Sequence, residues 1–384
     1  MTPLDLILMT ALALNLPILA LVVWNSLRWP EPGATGKRFR RSCSVLIPAR
    51  NEEDNIAACL EVVLRQGDPV LEIIVCDDHS TDATASVVHR YETMDPRVRL
   101  IVPPALPSGW CGKPFACSRL AAEALGEWLL FIDADARLGE GAVERMLNEA
   151  ASRDVSLLSC WPGLELKGFW EKILMPMLNF VVLTLFPAPL SLKRRDASLG
   201  LAHGACILAR REEYERVGGH EAVRDEIFED TSLARTWRAR GERGLCLDGQ
   251  KIVRVRMYDS FHGIWNGFRK NFFPSFRHLR SFWLFLLLHL FCFFLPFVLF
   301  IALATRGVWS LPAGLAAASV LLMRASLALR FRYPLWSVLL HPLAECVLLI
   351  LGIVSWWSCR GGRGVEWKGR IYRAGAGAGG GSGA

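Results

Sequence analysis

A chain of 384 residues, 52% hydrophobic, with a mean hydropathy of +0.28, is long enough for one large domain and something more. Its net charge of +7 comes without a basic run interleaved with aromatics, which excludes a nucleic-acid surface. The eleven cysteines are scattered singly with no Cys-x-x-Cys pair, a pattern of reduced thiols rather than a disulfide framework or a zinc site.

The apolar content is concentrated at the two ends. Leu4–Trp24 is apolar except for Asp5, Thr10 and Asn15 and is long enough to cross a bilayer. No positive residue precedes it, which argues against a signal peptide. Arg28, Lys37, Arg38, Arg40 and Arg41 follow, so the positive-inside rule predicts an N-terminus outside and the next domain in the cytoplasm.

From Cys43 strands alternate with helices. The apolar run Ser44–Pro48 leads through an Asx-rich turn to a predicted helix over Ile56–Arg65. Leu71–Cys76 is a second strand, ending in Asp77-Asp78-His79-Ser80-Thr81-Asp82, and the following helix runs through Val87 and Tyr91. Val98–Val102, a Pro- and Gly-rich loop over Pro103–Pro114 and a helix over Phe115–Leu125 come next. The strand opening at Leu129 then stops in Asp133 and Asp135. Runs that are apolar throughout and separated by helices predict a parallel sheet covered on both faces, with the ligand at the carboxyl ends of its strands. Asp77, Asp78, Asp133 and Asp135 all fall there. Residues i and i+2 of a strand share a side. A hard cation carried by a nucleotide needs only one or two carboxylates, so Asp133 and Asp135 suit a metal-diphosphate group. The alternative is a solvated turn, because Asp is common where strands end.

Val155–Cys160 is a further predicted strand. Phe169–Leu192 is apolar but broken by Pro176, Pro187 and Pro189 and carries Lys172, which predicts an interfacial segment lying on the membrane rather than a span. Leu199–Ala209 reads as a buried strand containing His203-Gly204. A helix from Arg210-Arg211 ends at Gly218-Gly219, and Phe228-Glu229-Asp230-Thr231 precedes a helix over Ser232–Ala239, which Asp230 could N-cap.

Beyond Arg269, Lys270, Arg277 and Arg280, Phe282–Ala304 has no formal charge and is the clearest span. Val308–Leu329 carries Arg324, and Leu335–Trp357 carries His341 and Glu345. Arg360, Arg363, Lys368, Arg370 and Arg373 predict a cytoplasmic tail, yet three full spans after a cytoplasmic domain would put that tail outside. The two arguments conflict. From Ala374 the chain is Gly, Ala and Ser, a composition of disorder. The expected divisions are an anchor at 1–30, an α/β domain at 40–275 containing the interfacial 169–192, a transmembrane block at 281–358 and a basic tail at 359–384. Together they predict a multi-pass protein of a bacterial-type inner (cell) membrane.

Five stretches occur in order across about two hundred residues: Ser-Val-Leu-Ile-Pro-Ala-Arg-Asn-Glu-Glu (44–53), Cys-Asp-Asp-His-Ser-Thr-Asp (76–82), Asp-Ala-Asp (133–135), Gly-Ala-Cys-Ile-Leu-Ala-Arg-Arg (204–211) with Val-Gly-Gly-His (217–220), and Glu-Asp (229–230). In this the chain resembles the family 2 glycosyltransferases, which have the GT-A fold, a mostly parallel α/β sheet. The resemblance implies that Pro48, Ala49, Arg50, Glu52, Asp77, Asp78 and Lys113 bind the nucleotide-sugar donor, a UDP-sugar by expectation. It implies that Asp133 and Asp135 hold the donor ribose and a divalent cation, Mg²⁺ or Mn²⁺. Asp230, with Glu229 beside it, would be the general base of an inverting transfer. His79 and His203 are read as structural.

Gly109-Trp110-Cys111-Gly112-Lys113, Trp265-x-Gly-Phe-Arg-Lys-Asn271 and Trp367-Lys368-Gly369-Arg370-Ile371-Tyr372 narrow the resemblance to the hopanoid-associated glycosyltransferases. The chain is also similar to ceramide glucosyltransferases and to carotenoid-acid glycosyltransferases. Processive synthases carry Gln-x-x-Arg-Trp where this chain has Arg269-Lys270-Asn271, which counts against a polymerase. Arg269 and Lys270 either neutralise the donor diphosphate or are membrane-flanking charges. The acceptor implied is a membrane lipid hydroxyl or carboxyl, with a polyprenyl phosphate as the runner-up. The reading from another class is an inactive membrane scaffold.

Overall fold

The computed structural model describes residues 3–33, 42–276 and 278–360, and the backbone of 365–367 and 370–372. The expectations resting on Lys37, Arg38, Arg40, Arg41, Arg277, Arg363, Lys368, Arg373 and the Gly/Ala-rich end lie outside the described residues. The chain forms two compact units: Arg28–Glu165 with Pro187–Met257, and Met1–Leu27 with Leu166–Phe186 and the chain from Tyr258.

The first unit is built on strands β1 (Cys43–Ala49), β2 (Val70–Asp77), β3 (Val98–Ile101), β4 (Trp128–Ile132), β5 (Ala136–Leu138), β6 (Leu157–Trp161), β7 (Gly163–Leu164), β8 (Cys206–Arg210), β9 (Gly244–Asp248) and β10 (Val253–Val255). Seven of them form one sheet in the order β3-β2-β1-β4-β8-β6-β9, and β5-β10-β7 form a smaller one. Because strand side chains alternate between faces, apolar runs fill both sides of the large sheet. Val45, Ile47, Val75, Leu130, Ile132 and Leu208 enter one core cluster, while Leu46, Ile74, Leu129, Phe131 and Ile207 enter the other.

The sheet is mostly parallel, as expected from sequence, and the exception is β8, which runs antiparallel to both β4 and β6. The expected strand over Leu199–Ala209 shortens to Cys206–Arg210. The His203 amide donates to Ser159 Oγ at 2.9 Å, and His203 Nδ1 accepts from the Ala205 amide at 3.2 Å. These backbone groups are thereby satisfied by side chains rather than by a neighbouring strand. The helix expected from Ser232 begins three residues earlier and spans Glu229–Ala239, with Phe228 at the N-cap, so Asp230 is not the cap. The helix expected from Phe115 likewise begins at Gly112, with Pro114 inside its first turn.

Among the described residues, the second unit holds four helices long and apolar enough to cross a membrane: Pro3–Arg28, Leu279–Ala304, Leu311–Phe331 and His341–Arg360. The expected span Leu335–Trp357 is divided, because Trp336–Leu339 is a separate short helix. Phe169–Leu174 and Pro176–Leu183 are each too short to span. Within Leu279–Ala304, residues His289–Phe294 form a π-helical turn just before Pro296. Proline supplies no amide to the carbonyl four residues back, which is that of Cys292. Asn15 donates to that carbonyl at 3.1 Å and to Ser319 Oγ at 3.2 Å. Asn15, one of the three polar residues in the first apolar run, thus caps a carbonyl that Pro296 denies its α-helical donor.

Candidate active site

The register of the sheet assembles the site. Ala49 pairs with Asp77 across parallel strands, and β4 lies on the other side of β1, so three carboxyl ends are neighbours. The antiparallel pair Ile132 with Cys206 then sets the loop before β8 against the residues after β4. Asp133 and Gly204 meet for this reason.

Lys113, in the first turn of the Gly112–Glu123 helix, reaches Asp133 Oδ1 at 2.7 Å and Glu229 Oε1 at 3.0 Å. The Asp230 carboxylate accepts the Gly204 amide at 2.8 Å and the Thr231 amide at 2.6 Å. A Cβ on Gly204 would lie 2.6 Å from Lys113 Nζ and 3.5 Å from both Asp133 Oδ2 and Asp230 Oδ2. Glycine is therefore what lets one ammonium and three carboxylates share this space. Glu229 and Asp230 sit in the first helical turn, where the helix dipole favours negative charge.

The charges are strongly interdependent. Burial works against the Lys113 ammonium, but Asp133 and Glu229 outweigh it and hold the amine well above its ordinary value. Burial raises Asp133 despite the opposing pull of Lys113. At Glu229 burial is more than offset by Lys113, and the carboxyl lies below its usual range. Asp230 is pushed up to about 7 by burial and then by the Glu229 charge, against the pull of Lys113. Burial and Lys113 push His203 down to about 3, so its imidazole is neutral near pH 7.

The loops after β1 and β2 interlock beside this cluster. Arg50 donates to the carbonyl of Asp78 and, at 3.3 Å, to that of His79. The Asn51 amide donates to Ser80 Oγ at 2.9 Å, Asn51 Oδ1 accepts the Thr81 amide at 2.8 Å, and the Glu52 amide donates to Thr84 Oγ1 at 2.8 Å. Asn51 and His79 adopt left-handed backbone, φ 52° and 56°, at the two crossing points. Asp77 and Asp78 are buried, with Asp77 Oδ1 accepting the Ser80 amide at 3.1 Å. Asp133, Asp135 and Glu52 lie around Cys59, whose thiol rises to about 12 chiefly through burial and further through these carboxylates.

The structure thus brings Lys113, Asp133, Glu229 and Asp230 into one cluster, with Glu52 and Asp135 beside it and Pro48, Ala49, Arg50, Asp77 and Asp78 on the adjoining strand ends. Arg269 and Lys270 lie in the Phe261–Phe272 helix of the other unit. Gly204 escapes sequence reasoning because its importance depends on strand direction. The Val-Gly-Gly-His motif is a buttress: a Cβ on Gly219 would fall 2.3 Å from the Tyr214 ring, and the Tyr214 hydroxyl meets His220 Nδ1 at 2.8 Å. The His220 ring in turn packs on Phe131 of β4, with centroids 4.7 Å apart.

Among the described residues no three His, Cys, Asp or Glu side chains surround one point as a metal cage. The donor set at Asp133 and Asp135 is all oxygen, and a cation arriving on a diphosphate requires no more than two such ligands. The residues fit a hard divalent cation brought by a nucleotide.

This sheet, with acidic strand ends and an acidic helix start facing one cleft, is the GT-A glycosyltransferase fold. Residues 44–218 match the model for Glycosyl transferase family 2. It is 30% identical over 236 residues, covering 60% of each chain, to 4,4'-diaponeurosporenoate glycosyltransferase of Staphylococcus aureus (strain MRSA252). The chain therefore spans three-fifths of the length of the curated relatives it matches. It also resembles the mannosyltransferase PcManGT from Pyrobaculum calidifontis, solved in complex with GDP-Man and Mn²⁺, with a TM-score of 0.54 and 21% identity over 92% of this chain and 99% of that one. That likeness is one of fold.

Proposed function

We propose that the protein transfers one sugar, with inversion, from a nucleotide-sugar donor, a UDP-sugar by preference, to the hydroxyl or carboxyl of a membrane lipid. The observation that carries this reading is Asp230: a carboxylate oriented by two backbone amides, close to pH 7 in affinity for a proton, beside the Lys113-bridged pair Asp133 and Glu229. A base with such a pKa suits proton removal from an acceptor at neutral pH, a contribution of roughly 10²–10⁴-fold.

In the proposed step an acceptor hydroxyl attacks the anomeric carbon and its proton passes to Asp230, whereas a carboxyl acceptor, already ionised near pH 7, attacks as the carboxylate. The bond to the nucleoside diphosphate breaks, and the charge left on that group is met by the Lys113 ammonium. Arg50, Glu52, Asp77 and Asp78, with the strand end at Pro48 and Ala49, cradle the nucleoside. A divalent cation held by Asp133 and Asp135 would add Lewis-acid neutralisation of the same charge. Glu229 keeps Lys113 in place.

The assignment of 40–275 to transfer and of 1–30 and 281–358 to membrane anchoring belongs to the same proposal, with the transfer domain at the cytoplasmic face of a bacterial-type inner membrane. Four apolar helices support the membrane part. A lipid acceptor is supported by the relative named for 4,4'-diaponeurosporenoate. The Gly-Trp-Cys-Gly-Lys stretch at 109–113 and Trp265–Asn271 favour a hopanoid-type acceptor within that class.

The test is transfer by the purified, detergent-solubilised protein. A panel of UDP- and GDP-sugars is supplied with Mg²⁺ or Mn²⁺, with and without bacterial lipid extract. Turnover that requires the extract, with a glycolipid identified by mass spectrometry, is the expected result. Absence of both turnover and donor binding would leave the inactive scaffold as the reading.

A further inference from the structure

The Lys113 ammonium is already ion-paired with Asp133, one of the two carboxylates proposed to hold a divalent cation. It lies 2.7 Å from Asp133 Oδ1 and 3.0 Å from Glu229 Oε1, in a pocket that Gly204 leaves open by having no Cβ. A divalent cation on Asp133 and Asp135 would share Asp133 with the Lys113 ammonium and be repelled by it, since even unit charges about 4 Å apart interact by roughly 1–4 kcal/mol with substantial screening. The balance changes when a diphosphate enters, because its oxygens offer the ammonium and a second cation new anionic partners.

Resting on the proposed donor chemistry, we infer that Lys113 is a gate on cation entry: it bars free divalent ions from Asp133 and admits them only together with a nucleoside diphosphate. Lys113 is then a positioning residue for the donor complex as well as a counter-charge. Such a gate has a direct use. It prevents a bare cation from pulling Asp133 away from the Lys113–Glu229 arrangement next to the proposed base, so the site is charged only when a donor is present.

Gly204 supplies an independent handle. Its backbone conformation is open to alanine, and the nearest obstacle to a new Cβ is the movable end of Lys113 at 2.6 Å. Gly204→Ala should displace the ammonium without deleting a charge.

The experiment is Mn²⁺ binding by the full chain in detergent, read by electron paramagnetic resonance of free Mn²⁺, alone and with UDP or GDP. The wild type should take up Mn²⁺ alone at least tenfold more weakly than with one of the two nucleotides. Lys113→Gln should bind Mn²⁺ alone about tenfold more tightly than the wild type, Gly204→Ala should move the same way, and Lys113→Arg should stay with the wild type. Thermal melting establishes that each variant is folded, and Gly204→Ala carries the test if Lys113→Gln is not. Equal binding of Mn²⁺ alone by the wild type and the folded variants would overturn the gate while leaving the transfer reading intact. No Mn²⁺ binding by any form, with either nucleotide, would overturn the cation of the proposed reaction and the gate with it.

Discussion

In the cluster beside β4, Lys113 and Asp133 are about a third exposed, whereas His289, His341 and Glu345 among the apolar helices are fully sealed. The first group carries one cation against three nearby carboxylates, Asp133, Glu229 and Asp230, an imbalance that a divalent cation can offset. The second sets the Arg324 charge and two histidines around the single carboxylate of Glu345. His289 Nδ1 lies 2.7 Å from Glu345 Oε1, His341 Nε2 lies 3.8 Å from Glu345 Oε2, and buried Arg324 sits over the Phe180 ring. A charge enclosed by hydrocarbon is tolerated when it is paired, and it then specifies which helices pack together. A charge meant for chemistry is left unbalanced and accessible.

The largest effect that would break this contrast lies at Asp230. Asp230→Asn should lower transfer by roughly 10²–10⁴-fold while leaving the fold intact, measured as turnover and thermal melting on the same preparation. Its pH dependence sharpens the point. The carboxyl is raised to about 7, so the proton-accepting form is scarce at pH 5 and grows as pH rises through 7. The rate should climb through that range and level off above it. An ordinary aspartate would already be fully ionised at pH 5, and a flat profile from pH 5 to 8 would remove Asp230 from the role of base.

In the sealed group the expected effect is on stability alone. Glu345→Leu leaves His289 and the Arg324 charge without their carboxylate, a loss of about 3–5 kcal/mol. Glu345→Gln retains a hydrogen-bond acceptor and should cost less. The double variant His289→Leu with Glu345→Leu should recover part of the loss, since both partners are then apolar. Thermal melting in detergent reads all three, and additive losses would show that the two residues do not act as a pair.

Between these extremes lies Gly219, where φ is +46° and a Cβ would meet the Tyr214 ring at 2.3 Å. Gly219→Ala should cost about 1–3 kcal/mol through overpacking, read by melting. Because Tyr214 and His220 brace Phe131 in β4, the variant should also weaken donor binding, a second readout that a purely local defect would not give.

The acidic strand ends were legible because a buried apolar run that stops in Asp can only be leaving a sheet. Asp77, Asp78, Asp133 and Asp135 required no tertiary information beyond that. The meeting of Gly204 with Lys113 and Asp133 was not legible, since it follows from β8 running antiparallel to β4, and strand direction is decided by pairing far along the chain. The start of the 229–239 helix was missed for a local reason. Glu229 and Asp230 suit the first turn of a helix as well as they suit the loop before it, and sequence alone does not separate the two. In the second unit the long apolar helices were legible, apart from the break after Leu339, while Asn15, Arg324, His341 and Glu345 registered as blemishes in them. Their partners lie on other helices, beyond the reach of any local pattern.

Asn15 gives the smallest expected effect and the sharpest check on that last point. Its side-chain amide is committed to the Cys292 carbonyl, 277 positions away, and to Ser319 Oγ. Replacing it by leucine raises the apolar character of the first span, so a purely hydropathic account predicts equal or better stability. The capping account predicts the reverse. The Cys292 carbonyl, denied an amide by Pro296, would be left without its Asn15 donor in an apolar interior, at a cost of about 1 kcal/mol. Pro296→Ala restores an amide four residues after Cys292 and should remove most of the loss that Asn15→Leu causes. A double-mutant cycle of Asn15→Leu with Pro296→Ala, read by melting in one detergent, measures the coupling directly. Zero coupling would mean that Asn15 serves only Ser319 and that the π-helical turn needs no outside donor.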